Sequence, residues 1–509
     1  MFFGAGASST PGSYAAQLWK TDGTQAGTAV VTTVANNGIR NIGPLVVAGN
    51  KLYFAADANG VSGPELFTSD GTAAGSVLAA DIPPTTGSSL PVSLTVGGAN
   101  VFFAANSPDQ FGPRQNPYVY TPAGGAVRIH SSLRIAGSEP RDFVTVGSGL
   151  YFTGQPQNFV RNLYFNDGIG GTTNTVFDSS NSGVIGPAAA AGNVLYFVKS
   201  DTTNGIELWK TVGGGAATLV RDLVPGTAGC SPDNLTAVGS TLYFVAASAA
   251  SGLDRELYKT DGTEAGTALV KDLNTLNGGL AGSNPHRLGA FGSKLVFVAD
   301  DGTGDKWFIT DGTAAGTSKL GDVPAGSCGP VAAGSVVVVC GSDALGNELW
   351  TSDGTPASLV NLADLSPGAA SSNPDALIVH GGKLIFSAFE GSVRNLYAAA
   401  IATPVPDAGA PDADAGAPVP DAGTSGTSGG TSGGTSGGTS GTSGGTSGTS
   451  DAPDGGAPAS APDGGESGCT ASARNPSADP TGLLLVVVAL IALRAHRRRG
   501  QVGARCGRG

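Results

Sequence analysis

The chain has 509 residues, a formal net charge of −12 and 82 glycines, and only 13% of its residues are charged. This length allows a large core, and the glycine-rich, methionine-poor composition favours strands and turns over helices. The acidic balance argues against nucleic acid as a partner. The sequence contains no GxxxxGK[ST] phosphate loop, no HExxH zinc-protease motif and no CxxC redox motif.

A short phrase recurs along the first four-fifths of the chain. It first reads Gln-Leu-Trp-Lys-Thr-Asp-Gly-Thr-Gln-Ala-Gly-Thr, from Gln17 to Thr28. Further copies lie at 65–76, 256–267, 306–317 and 348–355, and worn copies begin at Tyr118, Asn162 and Glu207. The spacing of about 47 residues is typical of propeller repeats and too long for leucine-rich or ankyrin repeats.

Three other apolar phrases accompany each copy. One precedes it, as in Lys51-Leu-Tyr-Phe54, a second follows it, as in Ala268-Leu-Val-Lys-Asp-Leu273, and a third leads into the next unit, as in residues 231–239. Short apolar runs bounded by Gly, Pro or Asp-Gly indicate strands joined by hairpins. Four short antiparallel strands per repeat predict an all-β protein, with a β-propeller over residues 1–401.

The repeats predict about eight blades, and seven or nine are compatible with the count. The last unit, from Pro374, supplies three strands and lacks the outer one. We expect the N-terminal segment from Ala29 to Val34 to supply it, because pairing both chain ends in one blade removes free sheet edges. The start at Met1 falls within a repeat, which predicts a truncated or misassigned start, so a missing signal peptide is weak evidence against export.

The repeated polar residues have a structural interpretation. Asp-Gly supplies the positive φ angles of a tight turn, and the following Thr can bond back to the backbone. We therefore predict turn formation, rather than ligand contact, for Asp22, Asp70, Asp167, Asp261, Asp311 and Asp353. A structural role is also predicted for the glutamates that precede the Leu-aromatic pair, which are Glu65, Glu207, Glu256 and Glu348.

Calcium is the one cofactor that the loops suggest, and the pattern is weak. Acidic residues cluster at Asp300, Asp301 and Asp305, and again at Asp201 and Asn204. Calcium favours several oxygens from one short loop, but neither loop matches the D-x-[DN]-x-[DN]-G pattern in full. Solvated hairpin turns are the simpler interpretation, so no metal site is predicted firmly.

The cysteines and histidines bear on export and on catalysis. Cys328 and Cys340 flank a turn with arms of near-equal length, so a disulfide is one of two open outcomes, and Cys230 is expected to stay a lone thiol. No histidine belongs to a recognisable nucleophile or metal grouping. Only the divergent stretch from Arg114 to Arg141, which contains His130, breaks the repeat, and repeat decay explains it equally well.

The C-terminal part is expected to be a tether and an anchor. Residues 402–466, rich first in Pro, Asp and Ala and then in Thr, Ser and Gly, cannot bury a core and predict a disordered stalk. Residues 467–499 place a cysteine, a spacer, the apolar segment 482–493 and an arginine cluster in that order, and 500–509 follow as an extra tail. Although the apolar run is shorter than a usual span, this order predicts a short transmembrane helix with the repeats outside the cytoplasm.

The repeat phrase resembles the ELWxxDGT repeat family of bacterial surface proteins, over residues 1 to 400. The tail is similar to a MYXO-CTERM sorting domain from Ser467 to Arg499, although residues 501–509 run beyond the usual end of such a tail. The second resemblance implies export, processing by a myxosortase-type membrane protease, and lipid anchoring at the outer surface. Carried over to this chain, it gives Gly468 and Cys469 as the processing site and lipid acceptor.

These observations favour a cell-surface, non-enzymatic propeller that binds matrix, polysaccharide or a partner cell. The repeat family brings an expectation of fold and no established activity. Two alternatives remain, an extracellular glycan-active enzyme with its site at the channel mouth near the divergent blade, and a structural coat component rigidified by calcium.

Overall fold

A computed structural model describes residues 1–6, 16–32, 38–58, 63–82, 88–109, 112–129, 140–157, 160–168, 173–177, 185–249, 251–276, 281–401 and 485–488. The repeat region lies in one compact unit, Met1–Pro404 together with Pro480–Gly509. A second unit, Val405–Asp479, lies outside the described residues, as does the predicted stalk within it. Across the described ranges the chain contains no α-helix.

Thirty-five strands make up the described fold. The first nineteen are β1 (Phe2–Gly6), β2 (Ala16–Lys20), β3 (Ala29–Val30), β4 (Leu45–Ala48), β5 (Lys51–Ala56), β6 (Glu65–Ser69), β7 (Val77–Ala80), β8 (Val92–Gly97), β9 (Asn100–Asp109), β10 (Gly112–Thr121), β11 (Gly125–Arg128), β12 (Arg141–Val146), β13 (Gly149–Gln157), β14 (Val160–Asn166), β15 (Asn174–Phe177), β16 (Ile185–Ala191), β17 (Val194–Asp201), β18 (Gly205–Val212) and β19 (Thr218–Leu219). The remainder are β20 (Asp233–Val238), β21 (Thr241–Ala247), β22 (Arg255–Thr260), β23 (Ala268–Lys271), β24 (His286–Phe291), β25 (Lys294–Asp300), β26 (Asp305–Thr310), β27 (Ser318–Pro324), β28 (Val331–Ala333), β29 (Val336–Asp343), β30 (Gly346–Ser352), β31 (Val360–Ala363), β32 (Asp375–His380), β33 (Lys383–Glu390), β34 (Val393–Ala400) and β35 (Leu485–Val488).

The strands form nine sheets, which are the blades of a nine-bladed β-propeller. Blades 2 to 8 each contain four consecutive strands, paired antiparallel in chain order from an inner to an outer strand, as in β20-β21-β22-β23. Inner strands of neighbouring blades touch in succession, β4 with β8 and so on to β28 with β32. Because an inner strand pairs on one side only, its other edge faces the central channel.

The core lies between blades. The second strand of each blade is buried on both faces, which is why it reads as a continuous apolar run; every residue of β21 from Leu242 to Ala247 is buried. Eight apolar clusters fill the eight interfaces between consecutive blades, and the first joins Leu18 of blade 1 to Phe54 of blade 2. At about 1.5–3 kcal/mol per fully buried large apolar side chain, these interfaces are the main source of stability.

The ninth blade meets the first through polar contacts. Lys383 Nζ donates a hydrogen bond to the backbone oxygen of Asp22 at 3.0 Å, and the Met1 amino nitrogen lies 3.1 Å from His380 Nε2. In the described part of the chain, none of the eight apolar clusters joins these two blades. We call this interface the seam.

The geometry of the seam repeats that of the other interfaces. A Cβ atom added to Gly23, in the first Asp-Gly-Thr turn, would lie 2.6 Å from Lys383 Cδ and 3.5 Å from Ala398 Cβ. Gly262 and Gly312, in equivalent turns, approach the preceding blade just as closely. The ring therefore closes with blade 9 packed against blade 1.

Two predictions about closure need correction. The propeller has nine blades, at the upper limit of the predicted range rather than the favoured eight. The N-terminal segment does not complete the last blade, because β3 pairs with β2 in a separate three-stranded sheet. Because β1, β2 and β3 form backbone hydrogen bonds with one another, the first sheet is a blade of its own, and it packs against the ninth.

Most of the C-terminal predictions fall outside the described residues. These include the stalk at 402–466, Gly468 and Cys469, the arginine cluster and residues 500–509. Within the apolar segment 482–493, only Leu485–Val488 is described, and it is a strand rather than part of the expected transmembrane helix. No helix suited to crossing a bilayer occurs in the described residues.

We predict that the seam opens more readily when its lysine is removed. In Lys383→Met, amide hydrogen exchange in β1 and β33 should quicken about fivefold, as expected for loss of one hydrogen bond of about 1 kcal/mol. Hydrogen exchange followed by mass spectrometry measures this. Lys294→Met is the matched control, because Lys294 begins the equivalent strand of blade 7 and faces Asp311 of its own blade. Equal exchange in both variants would contradict the assignment of the seam.

Candidate functional site

Four of the Leu-aromatic phrases begin with a glutamate that binds the linker to the next blade. Glu256 is buried; its Oε1 accepts the Ser283 backbone N–H at 2.6 Å, and its Oε2 accepts the Ser283 hydroxyl. The same pattern joins Glu65 to Ser89, Glu348 to Ser372, and Glu207 to the backbone and thiol of Cys230. We call these contacts the carboxylate staples, and their role is structural.

Burial changes the acidity of the staple carboxyls. Desolvation, helped by the nearby charges of Asp272 and Asp254, raises the pKa of Glu256 to about 7. The hydrogen bonds from Ser283 act in the opposite direction and lower it. Burial is also the first cause of the raised pKa of Glu65, Glu207 and Glu348. The folded protein therefore holds these protons more tightly than the unfolded chain does.

Stability should consequently fall as pH rises from 5 to 8. A carboxyl with a raised folded-state pKa contributes stability that is present below its unfolded pKa and is lost as pH passes the folded value. We predict that Glu256→Gln removes about 2 kcal/mol of this loss, measured by denaturant unfolding at the two pH values. Glu264→Gln, at an exposed turn position, is the control. If the unfolding free energy of Glu256→Gln depends on pH as strongly as that of the wild type, the raised pKa of Glu256 in the folded protein is contradicted.

The Asp-Gly-Thr segments form tight turns between the third and fourth strands. Asp261 Oδ1 accepts the Thr263 backbone N–H at 2.8 Å and the Thr263 hydroxyl at 2.7 Å. Gly262 has φ +92° and donates its N–H to Thr260 Oγ1 at 2.9 Å. The same bonds recur at Asp22, Asp70, Asp311 and Asp353, where hydrogen bonding to Thr lowers the pKa of each carboxyl.

The worn turn at Asp167 keeps the backbone geometry. Gly168 has φ +86°, and its N–H is accepted by Asn166 Oδ1, which replaces the hydroxyl of the other copies. All six aspartates lie at one end of the propeller, which we call the turn rim. We call the opposite end the hairpin rim; there the inner strands begin and hairpins join the second strands to the third.

The acidic loops lie on the hairpin rim and are closed by their own donors. Asp300 Oδ1 accepts the N–H groups of Gly302 and Gly304 at 2.8 and 2.9 Å, and Asp301 Oδ2 lies 3.1 Å from Lys319 Nζ. In blade 5, Asp201 Oδ1 accepts the N–H groups of Thr203 and Asn204. Within the described ranges, no group of three or more His, Cys, Asp or Glu side chains is arranged to hold a metal ion.

The remaining candidate residues are dispersed. Cys328 and Cys340 form a disulfide in blade 8, with Cα atoms 5.2 Å apart. Cys230 is a buried free thiol bonded to Glu207. His130 and the adjoining residues 131–139 of the divergent blade lie outside the described residues.

The inner strands share a backbone irregularity at the hairpin rim, where they begin. Five of them carry a non-glycine residue with φ between +49° and +56° at a β-bulge directly after their first residue. Non-glycine side chains seldom adopt this conformation, which costs about 1–3 kcal/mol. The five residues are Ser93, Asp142, Asn234, Arg287 and Ala376.

Two of these side chains bridge to the next blade. Asn234 Nδ2 donates to Pro285 O at 3.3 Å, and Arg287 Nη1 donates to Gly326 O. The irregular residues thus have a partly structural role, and they fix the backbone at the channel mouth.

Ion pairs stand beside these bulges. Arg255 Nη2 lies 2.9 Å from Asp233 Oδ2 in blade 6, and Arg394 Nη1 lies 3.7 Å from Asp375 Oδ2 in blade 9. The carboxylate side chains are 49% and 71% exposed, so they remain accessible to a ligand. In blade 7 the arrangement is reversed: the histidine begins the inner strand and the aspartate begins the third strand. His286 Nε2 lies 3.6 Å from Asp305 Oδ2.

The pairs in blades 6 and 9 were not among the residues predicted from the sequence. Pro-Asp opens the inner strand in blades 6 and 9, and an Arg stands at or next to the start of the third strand of the same blades. The Asp and the Arg come close together because the bulged inner strand and the third strand pair with opposite edges of the same second strand. The Pro-Asp dipeptide that recurs at these two positions is the feature of the sequence that could have pointed to the pairs.

Comparisons with known proteins give no family. No family model matches the chain, and no curated protein matches it. Similar solved structures include oligopeptidase B from Trypanosoma brucei with covalently bound antipain, at 12% identity and a TM-score of 0.40, covering 69% of this chain and 53% of that chain. Prolyl oligopeptidase B from Galerina marginata is 12% identical, with a TM-score of 0.39 and coverage of 70% and 56%.

A third similar structure is an isolated domain. The β-propeller domain of the Trilobed protease from Pyrococcus furiosus is 10% identical, with a TM-score of 0.35, covering 63% of this chain and 97% of that one. The chain spans little more than half the length of the two oligopeptidases. With TM-scores below 0.5, these similarities do not extend to any site.

The prediction that the chain is not an enzyme is contradicted by these comparisons, because the similar solved chains come from peptidases. That prediction is withdrawn. At 10–13% identity no peptidase activity follows for this chain either.

Proposed function

We propose that this protein is exported, is held at the cell surface by its C-terminal tail, and binds an extracellular polysaccharide with its hairpin rim. The observation that carries the proposal is the set of partly exposed acid–base pairs beside the bulges, Asp233 with Arg255, His286 with Asp305 and Asp375 with Arg394. They belong to three blades and lie at the same end of their inner strands.

The chemistry of these pairs suits sugar hydroxyls. In blades 6 and 9 a carboxylate accepts and a guanidinium donates, so each of these two pairs offers both kinds of hydrogen bond to one hydroxyl-bearing ring. The bulged backbone fixes the carboxylates, which lowers the entropy cost of binding. Loops and strand ends on a rigid scaffold are where binding residues concentrate.

Two features support export. A disulfide between Cys328 and Cys340 is typical of proteins in an oxidising compartment. The order of cysteine, apolar segment and arginine cluster in residues 467–499 supports a surface anchor, with Gly468 and Cys469 processed by a myxosortase-type protease.

We predict saturable binding of the purified full chain to surface polysaccharide from the source organism. In the double variant Asp375→Asn, Arg394→Gln, the affinity should fall about tenfold or more, which corresponds to about 1.4 kcal/mol. Isothermal titration calorimetry measures the affinity, and circular dichroism verifies folding. Repeating the titration with calcium and with a chelator tests the weak calcium pattern at Asp300 and Asp301.

Glu264→Gln is the matched control, because it removes an exposed charge from the turn rim. Equal affinities for the Asp375→Asn, Arg394→Gln double variant and for the control would place the binding site elsewhere on the molecule. No saturable binding by the wild-type chain would overturn the proposed function. The same samples are assayed for chain cleavage, which separates a binding protein from an extracellular glycan-active enzyme.

A further inference from the structure

In the part of the chain that the structure describes, the ninth blade takes three strands from its own repeat. These are β32, β33 and β34, the last of which ends at Ala400. In blades 2 to 8 the third strand pairs on its far side with an outer strand of the same repeat, as β30 does with β31. An unpaired third strand would leave a row of backbone N–H and C=O groups open to any passing strand.

The outer position of this blade is filled by the far end of the chain. Strand β35 pairs with β34, in a register that sets Leu396 opposite Leu485 and Ala399 opposite Val488. This pair is parallel, whereas the other strand pairs of the described sheets are antiparallel. A parallel neighbour requires a long connection rather than a hairpin, and residues 401–484 supply one.

The sequence of β35 suits the position. Leu-Val-Val-Val is apolar and mostly β-branched, like the outer strand Val360-Asn-Leu-Ala of blade 8. On the receiving strand, Tyr397, Ala398 and Ala399 are buried. The segment that predicts a membrane span from its composition is therefore also compatible with a strand on this edge.

We propose that the outer edge of β34 is a docking site for the chain's own apolar tail segment, Leu485–Val488. Docking pairs the open backbone groups of this edge with a segment whose sequence is apolar. A strand of four residues is weakly held, and the same residues cannot pair with β34 and lie in a bilayer. Before the proposed processing at Gly468 and Cys469, the tail thus has two states, docked in water and released at a membrane; the second state rests on the proposed surface anchoring.

Cross-linking in the full chain tests the docked state. With Cys469→Ser and Cys506→Ser as background, one protein carries Leu396→Cys and Leu485→Cys, which are opposite in the register. The matched control carries Leu396→Cys and Leu493→Cys, which lies on the same tail but about 26 Å further along a strand. Both receive a short bifunctional thiol reagent, and mass spectrometry follows the rate.

The in-register pair should cross-link about tenfold faster than the control or more, because docking raises its effective concentration. Equal rates in the two proteins, both folded by circular dichroism, would overturn the docking proposal. Phospholipid vesicles separate this result from the anchor. A fast in-register rate that vesicles suppress supports both states, whereas a fast rate unchanged by vesicles supports docking and counts against membrane anchoring.

Discussion

A buried carboxyl group at the start of four repeat phrases constrains how the blades of this propeller follow one another. Burying a carboxyl group costs free energy unless hydrogen bonds compensate it, and burying its ionised form costs several kcal/mol. The donors come from the linker to the next blade, as Ser283 does for Glu256. A linker in any other path would leave the carboxylate unpaired, so the staple fixes where the next inner strand begins. The bulges and ion pairs of the hairpin rim take their positions from that constraint.

The interface that closes the ring differs from the others. Eight interfaces between consecutive blades have an apolar cluster, whereas the described seam between blades 9 and 1 is held by Lys383, Asp22 and the contact of Met1 with His380. Among the described residues, the first sheet has no inner strand and the ninth repeat has no outer strand of its own, so the incomplete blades lie side by side. The two incomplete blades therefore meet where the packing is least apolar.

Much of the fold could be predicted from the sequence, because its signals are local. The apolar run of β21 and the Asp-Gly of the turn at Asp261 each specify their own conformation over a few residues. Ring closure could not be predicted that way, since counting strands does not say which sheet β3 joins. The ion pair of Arg255 with Asp233 depends on register between strands, and a left-handed Asp142 or Arg287 has no residue signature comparable to glycine.

The most direct test is a double-mutant cycle on one staple, with Glu256→Gln, Ser283→Ala and the two combined. If the staple joins consecutive blades as described, the unfolding free energies at pH 7 should show a coupling of about 1–3 kcal/mol between the two positions. Effects that add to within about 0.5 kcal/mol would contradict it, because two side chains that hold one contact cannot be independent.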